Sequence, residues 1–263
     1  RHCVSEIINW AKENNVATLF IGHVTKEGGL AGPKTLEHLV DVVLHLEGDR
    51  EFKYRILRCL KNRFASTQTI GVFEMKQNGL SSIEKPSKLF IESENLNHPG
   101  SVIIPFSQGS RIFLVELQAL VVDSGYGMAK RTFVGVDSHR VHLMIATLDK
   151  YLNLGFHSKD IFLTVIGGLK VKEPAFDLGI AVSLLSSLKG IPLNSPIAII
   201  GEVALTGELR SVSNLTDRLS EIEKMGLTSC ILPSKSKTPD LPTFGLKLIF
   251  MDTITDVMKY IFE

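Results

Sequence analysis

Asn78-Gly79, set between the run Thr69 to Met75 and the return Leu80 to Glu84, is the strongest short hairpin signal in the chain. A type I′ turn needs positive φ at both central residues, which Asn and Gly adopt cheaply, and its twist matches that of paired strands. The flanking runs are therefore expected as antiparallel neighbours. Upstream, Val42 to Glu47 and Phe52 to Leu60 face one another across Gly48-Asp49, after a short helix over Leu36 to Val40. An antiparallel sheet follows for this part of the chain.

The second of these strands runs into Lys61-Asn62-Arg63-Phe64, two cations flanking an amide with an aromatic closing the group. Arg offers a planar donor fork and Lys a point charge, so both suit a phosphate or a nucleic-acid backbone when held at a strand end. A solvated basic strand end is the alternative, because short motifs match by chance.

Before this sheet, Val4, Ile7, Ile8 and Ala11 mark one face of a helix, with Trp10 beside it. After the Asn14-Asn15 turn, Ala17 to Ile21 is a short apolar run with the character of a buried parallel strand, ending at Gly22-His23. His23 is either a strand-end sensor of a bound anion or a histidine satisfied locally. Thr25 to Lys34 is rich in Gly, which lets a loop approach a ligand closely, and Lys26 and Lys34 there offer phosphate contacts. A plain surface turn is equally compatible with that composition.

With 263 residues the chain is long enough for two domains with their own cores. Its net charge of +1 means that contact with nucleic acid has to come from local patches. No long uncharged apolar run occurs, so no membrane span is expected. Cys3, Cys59 and Cys230 are odd in number and far apart, which argues for a reducing cytoplasm and against disulfides or a thiolate metal site. The eight histidines show no ligand spacing; His139 and His142 come nearest and are expected in helix or surface roles. No G-x-x-x-x-G-K-[ST] loop is present, and the sequence opens inside a helical pattern, so a fragment is expected.

Lys85 to Ser101 is polar, contains two prolines and lacks periodicity, which marks a boundary. The expected organisation is a domain over 1–84, a linker over 85–100 and a second domain over 101–263. In the latter, strands are expected at Val102 to Phe106, Ile112 to Val122, Arg131 to Val136, Ile161 to Ile166, Ile197 to Val203, Cys230 to Leu232 and Lys247 to Phe250. Helices are expected at Arg140 to Leu152, Asp177 to Leu188, Leu215 to Met225 and Thr253 to Phe262, giving an α+β domain. Lys130, Arg131, Arg140, Lys170 and Arg210 fall at strand or helix ends, either as a basic surface or as separate solvated charges. Ser234 to Lys237 is expected as a loop.

Lys61 to Ala65, with Gly22 to Gly28, Leu30 to His38 and Ile70 to Met75, resembles the bacterial DNA repair family RadA (also called Sms), whose signature is K-N-R-F-G. The resemblance runs over essentially the whole chain. It departs at Ala65, where the signature has Gly; if that position takes positive φ, Ala costs roughly 1 kcal/mol. The resemblance implies the C-terminal half of a RecA-like α/β ATPase sheet followed by an α+β Lon-protease-like domain. It implies that Lys61 and Arg63 act in trans on ATP bound to a neighbouring subunit, that Asn62 and Phe64 fix their loop, and that His23 senses the γ-phosphate. Lys26 and Lys34, with Arg131, Arg140, Lys170 and Arg210, would contact DNA.

Gly201-Glu202-x-x-Leu205-x-Gly207 is similar to Lon's G-E-x-x-L-x-G and sets a register for the second half. In that register the nucleophile position carries Asp177 and the catalytic lysine position Thr216, so the Ser–Lys dyad is lost. Asp177 is then expected as a helix N-terminal residue that satisfies free N–H groups. For the family, ATP with Mg, a zinc-binding N-terminal segment, hexameric rings on single-stranded and duplex DNA, branch migration and a RecA-type recombinase partner are implied. This chain alone is expected to be inactive and to hold no cofactor tightly. A Lon-type scaffold that builds the ring without binding DNA itself, and a Lon-type peptidase, are the competing possibilities.

Overall fold

The computed structural model describes residues 2–22, 35–48, 54–67, 70–83, 87, 91, 97–109, 111–125, 128–193 and 197–263. Contacts divide the chain into two units, Arg1–Ile83 and Glu84–Glu263.

In the first unit, helix α1 (His2–Glu13) stops at Asn15, whose left-handed φ of 54° ends the helical repeat. Helix α2 (Thr35–Leu39) precedes an antiparallel sheet of β1 (Val42–Glu47), β2 (Tyr54–Asn62), β3 (Ile70–Lys76) and β4 (Gly79–Ser82), in that order. A hairpin is present between β3 and β4, but Lys76 pairs with Gly79, so its two-residue loop is Gln77-Asn78 rather than Asn78-Gly79; Asn78 does not take positive φ, and Gly79, at φ 109°, opens β4. Val43 pairs with Lys61 and Leu44 with Cys59, so Leu60 is an extra residue in β2. Such a bulge sharpens the local twist and re-aims the residues that follow.

The buried strand expected over Ala17 to Ile21 is not formed. These residues carry no ladder, and Leu19 and Ile21 are 81% and 90% exposed. A buried parallel strand needs neighbours on both edges and cover on both faces, and no described strand supplies them.

The second unit is built on a mixed seven-stranded sheet, with strands β5 (Ser101–Gln108), β6 (Arg111–Asp123), β7 (Arg131–Val134), β8 (Lys159–Val165) and β9 (Ile197–Ile199). A two-stranded pair, β10 (Glu202–Val203) and β11 (Leu209–Arg210), stands apart, and β12 (Ser229–Pro233) and β13 (Lys247–Met251) complete the large sheet in the order β13-β12-β9-β5-β6-β8-β7. The β5–β6 and β6–β8 pairs are antiparallel and the rest are parallel.

Helix α3 (Ser138–Leu152) and helix α4 (Asp177–Lys189) pack on each other, and Gly179 of α4 lies so close to Ile104 that a Cβ would stand 2.1 Å from its Cδ1. Only Gly lets the helix press this closely on β5. Helix α5 (Leu215–Lys224) contributes Leu219 and Ile222 to a cluster with Ile103, Leu114, Ala198, Ile200, Cys230 and Leu232. Ile103 and Ile104 are sequence neighbours and point to opposite faces, so α4 and α5 cover opposite sides of β5. Helix α6 (Ile254–Phe262) starts with a Thr253–Asp256 capping box.

Residues read as linker also contribute to the second unit. Ser87 is fully buried; its hydroxyl donates to Glu221 at 2.7 Å and accepts from the Leu114 N–H, while Ile91 packs on the α5 cluster.

Candidate functional site

Strand β2 delivers Lys61 at the bulge, and its ammonium turns back onto α2. It donates to the carbonyl oxygens of Glu37 (2.8 Å), His38 (3.2 Å) and Val40 (2.7 Å). An ammonium has three hydrogens, and all are used. Lys61 thus caps carbonyls that a short helix leaves without partners, at the end where a positive charge is favoured. Asn62 accepts at its Oδ1 from the N–H groups of Phe64 (3.0 Å) and Ala65 (3.2 Å), which closes an Asx turn. Arg63 pairs with Asp41 at 2.9 Å yet keeps about half of its side chain exposed, and Phe64 is 78% exposed. The turn therefore presents Arg63 and Phe64 outward while Lys61 braces it from behind. Ala65 is not among the residues with positive φ, so the departure from glycine carries no backbone strain. His23, Lys26 and Lys34 lie outside the described residues.

In the second unit the Asp177 carboxylate is fully buried. Arg140 donates to it from Nε (2.8 Å) and from a terminal nitrogen, and the Val203 N–H adds a third contact at 3.3 Å. Burial pushes the Asp177 carboxyl upward, and the Arg140 bonds and the Val203 N–H oppose that shift. The bond to Asp177 raises the Arg140 guanidinium above its ordinary value. Acceptors that meet only donors in a two-point fork are the geometry of an ionised pair.

Two expectations are corrected here. Arg140 is not a free cation at a helix end, because its fork is committed to a buried carboxylate. Asp177 does open α4, as expected, but it does not satisfy that helix's own N–H groups: its oxygens reach α3 and β10, and no side-chain bond caps the start of α4. Asp137 has that role for α3, accepting from the His139 and Arg140 N–H groups.

A second buried pair was missed from sequence. Arg218 of α5 is fully buried and forks onto Glu173, with both contacts at 2.9 Å; it also donates to the Pro105 and Ser213 carbonyls. Glu173 in turn accepts from the Ser107 N–H. Arg140 and Arg218 thus fasten the two ends of Glu173–Asp177, the segment that leads into α4. Thr216 lies exposed in the first turn of α5, while Asp177 is sealed.

The remaining basic positions separate along the sheet. Val134 and Thr164 end the parallel β7–β8 pair, and Gly135 (φ 79°), its carbonyl accepting from Val171 at 2.7 Å, ties this end to the loop carrying Lys170. Arg210 pairs across β10–β11 with Glu202, next to the Val203 that touches Asp177. Arg131 opens β7 at the opposite end, where its terminal nitrogen donates to the Phe156 carbonyl at 3.1 Å and Lys130 precedes it. Lys170 and Arg210 are exposed. Ser234–Ser236 is a short helical turn, with Lys235 on Glu208 and Lys237 over the Phe250 ring.

His142 packs edge-on against Phe133 at 5.3 Å. Among the described residues no group of three or more His, Cys, Asp or Glu could hold a metal ion. No helix among them is long and apolar enough to cross a membrane.

The second unit has a mixed α/β architecture with a parallel-rich sheet, and the first carries a turn that projects an Arg and an aromatic, which makes this an α/β protein. Residues 126–236 match the family described as subunit ChlI of Mg-chelatase. Along its whole length the chain is 42% identical to a protein named DNA repair protein RadA from Streptococcus pyogenes serotype M6, and 43% identical to the one from Streptococcus pneumoniae R6. The RadA of Bacillus subtilis 168 is 40% identical over 98% of the chain. The chain spans 58%, 62% and 57% of these three relatives, respectively. It is a homologue of the RadA DNA repair proteins.

Proposed function

We propose that this chain is the C-terminal part of a DNA-dependent repair ATPase, a RecA-like half-sheet followed by a Lon-like domain without peptidase activity. The supporting observation is the 42% identity over the whole chain, both units included. In this proposal the parent protein binds ATP and Mg through a phosphate loop outside this chain, carries zinc in an N-terminal segment, and works in the cytoplasm with a RecA-type recombinase. Hexameric rings enclose single-stranded or duplex DNA and drive branch migration.

Arg63 takes the part of the trans cation. Its ion pair to Asp41 is partly solvated and therefore weak, so a neighbour's phosphate can compete for the guanidinium. Lys61 holds the turn, and Phe64 packs on the neighbouring subunit. Lys26, Lys34, Lys170 and Arg210 supply phosphate contacts to DNA.

The test is DNA-stimulated ATP turnover in a longer protein that carries this chain behind a phosphate loop. Arg63→Ala should abolish stimulation while leaving ATP binding in place. Full stimulation in that variant would overturn the assignment.

A scaffold that assembles the ring without touching DNA is the second possibility, favoured by the commitment of Arg140 to Asp177. DNA affinity of residues 84–263 alone separates the two. Peptidase activity is disfavoured, since a carboxylate sealed under Arg140 can neither attack a peptide nor be reached by one.

A further inference from the structure

Among the described residues, part of one face of the second unit's sheet is uncovered, and a cavity of about 410 Å³ lies there. That volume is within the ordinary range for small-ligand sites. Two rows of cross-strand partners build its floor. Ser101, Gln118, Thr164 and Val134 form one row, and Leu120, Phe162 and Thr132 form the next. Leu120 and Val134 are 54% and 53% exposed, as core-facing residues of a covered sheet would not be.

Behind the first row stands Glu116, two residues before Gln118 on the same face and fully buried. Its Oε1 accepts from the Ser101 hydroxyl at 2.8 Å and from the Gln118 amide nitrogen at 2.7 Å. Its Oε2 has no hydrogen-bond partner, and no described cation pairs with it. A buried carboxylate without a cation is costly, so it favours positive charge nearby.

The two bonds also set what the cavity wall displays. Ser101 spends its hydrogen, and Gln118 one of its two amide hydrogens, on Glu116, which leaves the oxygen of each as an acceptor along the cavity wall. An aromatic ring, Phe162, lines the cavity in the adjacent row, and the face of such a ring attracts cations through its quadrupole.

We propose that this groove binds an organic cation, an alkylammonium or guanidinium group, held between the Ser101 and Gln118 oxygens and the Phe162 ring with Glu116 as its counter-charge. The group can come from a free amine or from a Lys or Arg side chain of another protein. Neither source depends on the function proposed above.

The test is titration of the chain of residues 1–263, followed by methyl NMR at Leu120 and Val134, with two probes: spermidine and the blocked peptide acetyl-Gly-Arg-Gly-amide. Saturable shifts with spermidine alone point to a free amine, shifts with the peptide alone to a protein side chain, and both support the site. Gln118→Leu, Glu116→Gln and Leu120→Trp should each weaken binding roughly tenfold or more. Leu120 is exposed, so its variant remains informative if Glu116→Gln fails to fold. Absence of shifts with both probes, or shifts that survive Gln118→Leu and Leu120→Trp, overturns the proposal.

Discussion

Arg140 and Asp177 lie 37 residues apart in sequence and close a two-point ion pair in which the carboxylate has no exposure to solvent. The pair joins the first turn of α3 to the first turn of α4, and through the Val203 N–H to the small β10–β11 sheet. Removing one partner strands a buried charge, whereas removing both leaves an apolar gap that can be repacked. Arg140→Ala should therefore destabilise the second unit by about 3–5 kcal/mol, while Arg140→Met with Asp177→Leu should recover most of that loss. Urea unfolding of the three proteins checks this, and a single variant as stable as the parent would show the pair to be dispensable.

Lys61 and Arg63 are two residues apart and should respond differently to truncation. Lys61→Ala leaves the Glu37, His38 and Val40 carbonyls without their shared donor, at a cost of about 1–3 kcal/mol. Arg63→Ala loses one half-exposed ion pair, worth at most about 1 kcal/mol. Hydrogen exchange should thus accelerate in α2 for the lysine variant and stay unchanged for the arginine variant. Equal protection in both would mean that the lysine cap contributes nothing.

The three thiols differ in access. Cys3 is exposed, Cys59 is partly buried and donates to the Lys61 carbonyl at 3.3 Å, and Cys230 is fully buried in the α5 cluster. Burial pushes the Cys230 thiol far up, so its reactive thiolate is suppressed near neutral pH. A thiol-reactive dye should label Cys3 first and Cys59 more slowly, and reach Cys230 only after denaturant is added. Labelling of Cys230 in the folded protein at the rate of Cys3 would contradict the buried placement.

The antiparallel sheet of the first unit was legible because hairpins are local, although the β3–β4 loop closes at Gln77-Asn78, one residue before the Asn78-Gly79 signal. Ala17 to Ile21 was not, since a buried strand is defined by neighbours that its own residues do not encode. The same distinction explains the second unit. Local capping rules gave Asp177 a role at its own helix start, but a guanidinium 37 residues away took the carboxylate. A sequence signal did exist for both paired arginines. Arg218 falls on the apolar face that Leu215, Leu219 and Ile222 define, and Arg140 on the face of Val141 and Met144. An Arg at a core position, with an unassigned Asp or Glu elsewhere, is the pattern of a buried pair.

With the Arg140 fork committed to Asp177, the exposed basic positions proposed to meet a phosphate backbone in the second unit are fewer and lie in two places. Lys170 and Arg210 are exposed, on the loop after β8 and on β11, whereas Arg131 starts β7 at the opposite end and is tied to the Phe156 carbonyl. Each phosphate contact releases about one counterion, so replacing Lys170 and Arg210 by Ala should lower the salt slope of duplex binding by up to about 2. Arg131→Ala should change it by at most about 1, and additively with the other two if the same duplex spans both ends. Filter binding across a salt series in the full-length protein gives these slopes. A slope that none of the replacements moves would place the DNA contacts elsewhere and favour the scaffold alternative.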